Sequence, residues 1–173
     1  NAAWLAAELD EMGFEVKHHL TCRDSDQDIS DSLQFLSNLD CVLVSGGLGP
    51  TRDDCTRQSL AKFLNQPLKL DEDCWQTIQV KLKQRNVTLR DGHIRQAYIP
   101  EAAQALKNSH GVAPGFFAHT KKLVLAALPG PPSELQPMWF EQLKPLLQDR
   151  LKPHSERKLY TWICMGAAES EVS

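Results

Sequence analysis

The sequence of 173 residues has no long apolar run, no paired cysteines and no excess of basic charge. The apolar run at residues 123–128 is far shorter than the roughly 20 residues that a membrane-crossing helix needs. The formal net charge of -3 and the lack of a basic stripe argue against a general nucleic-acid-binding protein. The five cysteines and six histidines show no metal-ligand spacing, so no zinc site is predicted. We expect free thiols in a reducing cytoplasm, and no membrane or nucleic-acid partner.

A glycine-rich turn separates a predicted strand from a predicted helix. Residues 41–44 form a short apolar run that is typical of a buried parallel strand. After the turn, Leu60, Ala61 and Leu64 recur at helical spacing. Ligands of open α/β sheets bind where strands end in such turns. The pattern therefore predicts a ligand site between residues 45 and 56.

The chemistry of this turn indicates an anionic ligand. Gly46, Gly47 and Gly49 have no Cβ, so a ligand can approach the backbone closely and phosphate oxygens can accept from its N–H groups. The start of the following helix adds partial positive charge. Two known phosphate motifs do not match, because Arg52 stands where a Rossmann glycine is needed and the Gly-Lys-Ser/Thr of a P-loop is missing. A phosphate-binding loop of another kind is predicted.

Two aspartates after the glycines have two interpretations. Thr51 as N-cap with Asp54 three residues later fits a capping box, which is a structural role. Alternatively, Asp53 or Asp54 holds a divalent cation or acts as a general base, since a helix start favours an ionised carboxylate. The residue pattern leaves both open.

Residues 46–56, Gly-Gly-Leu-Gly-Pro-Thr-Arg-Asp-Asp-Cys-Thr, resemble the signature of CinA-type proteins, which share the molybdopterin-binding-domain superfamily with MogA and MoaB. Residues 108–115 match the family's Asn-x-x-Gly-Thr-Ala-Pro-Gly, except that Val112 replaces a threonine and removes a hydroxyl. Residues 129–134 match its Pro-Gly-x-Pro turn, the second lip of the site, although Ser133 and Gln136 also fit a capping box. Pattern and resemblance together predict an α/β protein, a three-layer α/β/α sandwich with a mostly parallel sheet.

The family pattern also predicts how the chain is divided. Residues 1–151 match the α/β domain, whose helix at residues 1–12, with Gly13 as its stop, and strand at residues 14–20 are expected from periodicity. Ser25 and Asp71 are expected helix N-caps, and residues 116–119 and 122–127 are expected to form two strands around a Thr120-Lys121 turn. The family's first strand is expected to precede Asn1 and so to be missing here. Residues 152–173 resemble a linker and the start of a second small domain. In some members a nicotinamide mononucleotide deamidase domain follows.

The resemblance also implies which residues form the site. Asp54, Asp53 and Asp24 are the predicted catalytic residues, and Asp54 and Asp53 are the predicted ligands of a divalent metal ion, Mg²⁺, Mn²⁺ or Co²⁺, with K⁺ as an optional further ion. Arg95 belongs to a cationic cluster that is either a diphosphate clamp or a solvated face. The predicted phosphate- or nucleotide-binding residues are Ser45, Gly46, Gly47, Gly49, Thr51, Thr56, Arg95, Gly115, Pro129, Gly130, Ser133 and Glu134.

Three functions remain open from the sequence. The CinA resemblance implies a metal-dependent pyrophosphatase that cleaves ADP-ribose-type nucleoside diphosphates and serves pyridine-nucleotide recycling. The shared Gly-Pro-Thr-Arg-x-Asp-x-Thr also suits a MogA-like molybdopterin adenylyltransferase of molybdenum cofactor biosynthesis. A non-catalytic assembly or regulatory domain is the third. The expected partners are a small nucleotide or pterin and, by analogy with the family, further copies of the chain.

Overall fold

The computed structural model describes residues 1–152 and divides them into two compact units. One unit holds Asn1 and residues 19–152, and the other holds residues 2–18. The predicted linker and second domain at 152–173 therefore lie, apart from Lys152, outside the described residues. The smaller unit contains helix α1 (Ala2–Glu11), which ends as predicted at Gly13, whose φ is +82°.

The larger unit alternates helices and short strands. Its helices are α2 (Asp26–Phe35), α3 (Thr56–Phe63), α4 (Glu72–Gln84), α5 (Asp91–Arg95), α6 (Pro132–Met138), a π-helical turn (Trp139–Leu143) and α7 (Lys144–Arg150). Its strands are β1 (Cys41–Ser45), β2 (Leu68–Leu70), β3 (Tyr98–Pro100), β4 (Gln104–Leu106), β5 (Gly115–His119) and β6 (Val124–Leu128). Within the described range, no helix combines the length and apolarity that a bilayer crossing requires.

The α/β class is confirmed, but the described sheet is mixed rather than mostly parallel. Its strand order is β1-β6-β5-β4, with β1 parallel to β6 and the other two pairs antiparallel, while β2 and β3 form a separate antiparallel pair. The reason lies in the connections. A parallel crossover needs about a dozen residues or more, and the links at 107–114 and 120–123 are shorter than that.

The predicted strand at residues 14–20 is wrong, because the structure places no strand there. Alternating side chains favour a strand only when its backbone groups pair with a neighbouring strand. The predicted hairpin around Thr120 is confirmed by the antiparallel pairing of β5 with β6. The N-caps Ser25 and Asp71 are also confirmed, since they accept from the N–H groups of Asp28 at 3.1 Å and Cys74 at 2.8 Å.

Helices cover both faces of the four-stranded sheet. On one face, α2 and α3 contribute Ile29, Leu33 and Leu60 to a buried core with Val42, Phe116, Leu125 and Ala127 of the strands. On the other, Met138 lies against Gly115, and Leu135, Trp139, Leu143 and Leu147 of the last helices are fully buried. Burial of this apolar surface stabilises the layers and fixes where the strand ends lie.

Candidate functional site at two strand ends

Two turns meet where the parallel strands β1 and β6 end. The N–H of Gly46 donates to the carbonyl of Leu128 over 3.0 Å. A Cβ built on Gly130 would lie 3.6 Å from the Cα of Gly46, so the two backbones are nearly in contact. The glycine turn and the predicted second lip at Pro129 and Gly130 are therefore neighbours. This is the edge at which open α/β sheets bind ligands.

Gly47 lies at the centre of the first turn. Its φ is +64°, and that of Gly46 is +100°, both in the left-handed range that favours glycine. A Cβ on Gly47 would come within 2.1 Å of Oγ1 of Thr56 and 3.2 Å of a carboxylate oxygen of Asp24. The fold thus brings three predicted site residues together from a loop, a turn and the first position of α3.

The glycine N–H groups are less available than the sequence predicts. The N–H of Gly46 donates to the carbonyl of Leu128. The N–H of Gly49 donates to the carboxylate of Asp54 and helps to lower its pKa. The N–H of Gly47 has no hydrogen-bond partner among residues 1–152. The anion-binding backbone is consequently centred on Gly47, next to the N-terminus of α3.

Asp54 holds the turn closed. Its Oδ2 accepts from the N–H of Thr51 at 2.9 Å and from the Thr51 hydroxyl at 2.5 Å. Partial burial raises the pKa of Asp54, but the Thr51 hydroxyl and N–H, the Gly49 N–H and Arg57 outweigh it and hold the pKa below its ordinary value. The capping-box interpretation is wrong, because α3 begins only at Thr56, after Cys55 as N-cap. Asp54 instead fastens the loop that precedes the helix.

No ready-made metal cage exists in the described part of the chain. Asp53 is exposed and has no hydrogen bond or ion pair there, and one oxygen of Asp54 is occupied by Thr51. No group of three or more His, Cys, Asp or Glu residues within 1–152 could hold a metal ion. A Mg²⁺-type ion needs only one or two protein carboxylates, because water and substrate phosphates supply its other ligands.

The second lip differs from its predicted capping. Helix α6 begins at Pro132 with Pro131 as N-cap, and neither makes a side-chain cap, so the Ser133–Gln136 capping box is wrong. Proline suits the first helical turn, where N–H groups have no helical partner anyway. Ser133 is exposed beside this turn.

Glu134 is engaged within the fold rather than free for a ligand. Its Oε2 accepts from Nδ2 of the buried Asn108 at 2.6 Å. Asn108 also donates to the carbonyl of Ala113 at 2.8 Å and accepts from the N–H of Gly111 at 2.6 Å. Lys81 donates to the carbonyls of Asn108 and Gly111. The Asn-x-x-Gly segment is thus a clamp that fixes the first turn of α6.

Three further predicted residues lie in different settings. Ser45 is exposed at the end of β1, next to the glycine turn. Arg95 is exposed at the end of α5, and this segment touches the turn because a Cβ on Gly92 would lie 2.6 Å from the carbonyl oxygen of Pro50. Gly115 is buried, with Met138 and the carbonyl of Ala127 where a side chain would be. Packing excludes a side chain at this position, and a ligand contact there stays a prediction.

Two buried residues beneath the turn, Arg57 and Gln96, were not among the predicted site residues. The guanidinium of Arg57 is 1% exposed and donates to the carbonyls of Leu48 and Gly49. Nε2 of Gln96, also buried, donates to the same Leu48 carbonyl at 3.4 Å. A signal was available, because Arg57 precedes Leu60 and Ala61 by three and four positions and so lies on the buried face of α3.

Two cavities lie along α4 rather than at the glycine turn. One, of about 200 Å³, is lined by Asp73, Cys74, Thr77, Lys107 and Asn108 among others. The second is a more open groove that shares Asp73, Thr77 and Lys107 with it. Neither is lined by a predicted site residue.

Comparison with known proteins places this geometry in a family. The profile described as "Probable molybdopterin binding domain" matches residues 1–149. The chain is 35% identical over 174 aligned residues to a protein from Clostridium botulinum named as competence-damage inducible, and 37% identical over 172 to one from Pediococcus pentosaceus. These alignments cover 100% and 98% of the chain but only 42% of each relative. The chain thus spans less than half the length of these curated relatives.

Solved structures agree with the sequence matches. The protein CinA of unknown function from Thermoplasma acidophilum superposes with a TM-score of 0.76 at 30% identity, covering 84% of this chain and 86% of that one. A molybdenum cofactor biosynthesis protein B superposes with a TM-score of 0.54 at 17% identity, covering 85% and 80%, which supports the fold alone. The chain belongs to the molybdopterin-binding-domain family and, within it, to the CinA-like proteins.

Proposed function

We propose that this domain binds ADP-ribose-type nucleoside diphosphates where the two turns meet and hydrolyses their diphosphate bond. The observation that carries the proposal is the contact between Gly46 and Gly130, which joins the ends of neighbouring parallel strands. Backbone there comes close enough to a ligand only because side chains are missing. The nearby N-terminus of α3 and the N–H of Gly47 suit the charge of a phosphate.

In the proposed reaction, water attacks one phosphorus of the diphosphate and the bridging P–O bond breaks. ADP-ribose and water give AMP and ribose phosphate, and the water proton is released to a base. Asp24 is the proposed acceptor, since its exposed carboxylate lies at Gly47. The Gly47 N–H and the Thr56 hydroxyl would bind phosphate oxygens, whose charge grows as the bond breaks.

A divalent cation would neutralise the diphosphate and lower the pKa of the attacking water. Asp24 and Asp53 are the proposed protein ligands. Asp54 is proposed to position the turn, because its carboxylate already fastens Thr51.

The test is AMP release from ADP-ribose by the full-length protein with Mg²⁺, Mn²⁺ or Co²⁺. Asp24→Asn should reduce the turnover rate by about a hundredfold or more, the usual effect of losing a general base. An exposed aspartate on α2, Asp31, supplies the matched control, and Asp31→Asn should leave the rate unchanged. If the protein forms no AMP with any of these ions, or if Asp24→Asn is as active as the parent, the proposed reaction is wrong.

A second candidate is adenylyl transfer to a pterin. It is favoured by the description of the matching family as a probable molybdopterin binding domain. Incubation with ATP and molybdopterin would then yield the adenylylated pterin and pyrophosphate. Inactivity in both assays, with retained nucleotide binding, would support the non-catalytic regulatory role.

A further inference from the structure

Arg57 carries a buried positive charge directly behind the glycine turn. Its side chain is 1% exposed, although arginine is almost never fully buried unless its charge is paired. Among residues 1–152, no acidic side chain lies within 4.0 Å of its guanidinium, and Asp54 is the acid that stabilises its charge from further away. The charge therefore lacks a contact counter-ion in the described fold.

The hydrogen bonds of this guanidinium are also incomplete. Two of its nitrogens donate to the carbonyls of Leu48 and Gly49, but Nε has no acceptor. Burial lowers the pKa of Arg57 to about 10, so it remains charged at neutral pH. A buried charge without a counter-ion destabilises a fold unless a charged partner or hydrogen bonds compensate for its desolvation. A free cation and an unused donor together indicate an anion that binds nearby.

The two carbonyls that Arg57 holds belong to the turn itself. Left free, the carbonyl oxygens of Leu48 and Gly49 would repel a phosphate, because they carry partial negative charge. The guanidinium offsets that charge and fastens Leu48 and Gly49, while Asp54 fastens Gly49 and Thr51. The turn is thereby fixed from Leu48 to Thr51, immediately after the N–H of Gly47.

We infer that Arg57 is a positioning residue for the diphosphate: it orders the glycine turn and supplies the buried positive charge that attracts the anion. This inference rests on the proposed function, because it assumes that the turn binds phosphate. The positive charge that complements the anion is then supplied by Arg57 of α3 and not by the exposed Arg95. The ligand class that it selects is a compact polyanion.

Inorganic pyrophosphate is the probe, since its binding does not depend on the nucleotide or on hydrolysis. Arg57→Gln removes the charge but leaves a polar side chain, and should weaken pyrophosphate binding by about tenfold or more. Arg57→Lys restores a charge without the planar fork and should recover part of that loss. The matched control is Arg52→Gln, which removes an exposed charge from the same turn and should change affinity by less than about threefold.

A measurement on the parent protein covers the case in which the variants do not fold. The Nε–H resonance of Arg57 should shift when pyrophosphate saturates the site. Absence of binding by the parent, unchanged affinity in a folded Arg57→Gln, or an unmoved Nε–H signal at saturation would each overturn the inference. Hydrolysis of ADP-ribose is scored separately, so a protein that binds pyrophosphate through Arg57 but forms no AMP contradicts the proposed function alone.

Discussion

Replacing Gly47 with alanine tests the packing of the glycine turn. The new methyl group would lie 2.1 Å from Oγ1 and 3.0 Å from Cβ of Thr56, which is closer than non-bonded atoms approach. Gly46→Ala is the matched control, because no atom lies within 4 Å of its Cβ although its φ of +100° is also unfavourable. The two variants separate steric overlap from backbone strain.

The magnitudes follow from these contacts. A left-handed conformation costs a non-glycine residue about 1–2 kcal/mol, and overpacking adds about 1–3 kcal/mol. Gly47→Ala should therefore lower the free energy of unfolding by about 2–5 kcal/mol. Gly46→Ala should lower the free energy of unfolding by about 1–2 kcal/mol through strain alone. Thr56→Ala removes the nearer clashing atom, so it should recover part of the Gly47→Ala loss.

Urea unfolding of the single and double variants measures the coupling free energy between the two substitutions as a double-mutant cycle. We expect a favourable coupling of about 1 kcal/mol or more between Gly47→Ala and Thr56→Ala. Between Gly46→Ala and Thr56→Ala we expect none beyond error. If the losses from Gly47→Ala and Thr56→Ala are additive, or if Gly46→Ala shows an equal coupling to Thr56→Ala, then Thr56 is not the residue that excludes a side chain at position 47.

Three other predictions concern groups away from this contact. Because the pKa of Asp54 is lower in the folded state, its carboxylate stabilises the fold above its unfolded pKa of 3.8 and loses that effect as pH falls through the folded value. Asp54→Asn should therefore flatten the dependence of the unfolding free energy on pH below about pH 4. An unchanged pH dependence would exclude the Thr51 contacts. Asn108→Ala should lower the free energy of unfolding by about 2–4 kcal/mol, since it leaves the hydrogen-bonding groups of Glu134, Ala113 and Gly111 without their partner. A loss under about 0.5 kcal/mol in urea titrations would disprove the clamp. Desolvation raises the pKa of the half-buried Cys41 and the buried Cys74 thiols to about 12. Native alkylation followed by peptide mapping should therefore label the exposed Cys22 well before either, and equal labelling would contradict these raised pKa values.

The sequence predicted the elements whose signals are local. The strand at β1, the hairpin of β5 and β6, and the caps at Ser25 and Asp71 depend on apolar patterning and on side chains that bond within three residues. The failures are non-local or depend on where a helix starts. Residues 14–20 lack a strand partner, and α3 starts five residues after Thr51, the predicted cap.

For the site, the sequence by itself determined which stretch matters and its chemistry, since glycines, aspartates and a strand-to-helix turn are visible in order. Tertiary structure alone decided what each residue does there. It placed Gly130 against Gly46 and Asp24 beside Gly47, and engaged Glu134 with Asn108. It also buried Arg57 beneath the turn. The reason is physical: a side chain's role is set by which backbone groups and charges come within bonding distance, and the partners that matter most here are distant in sequence.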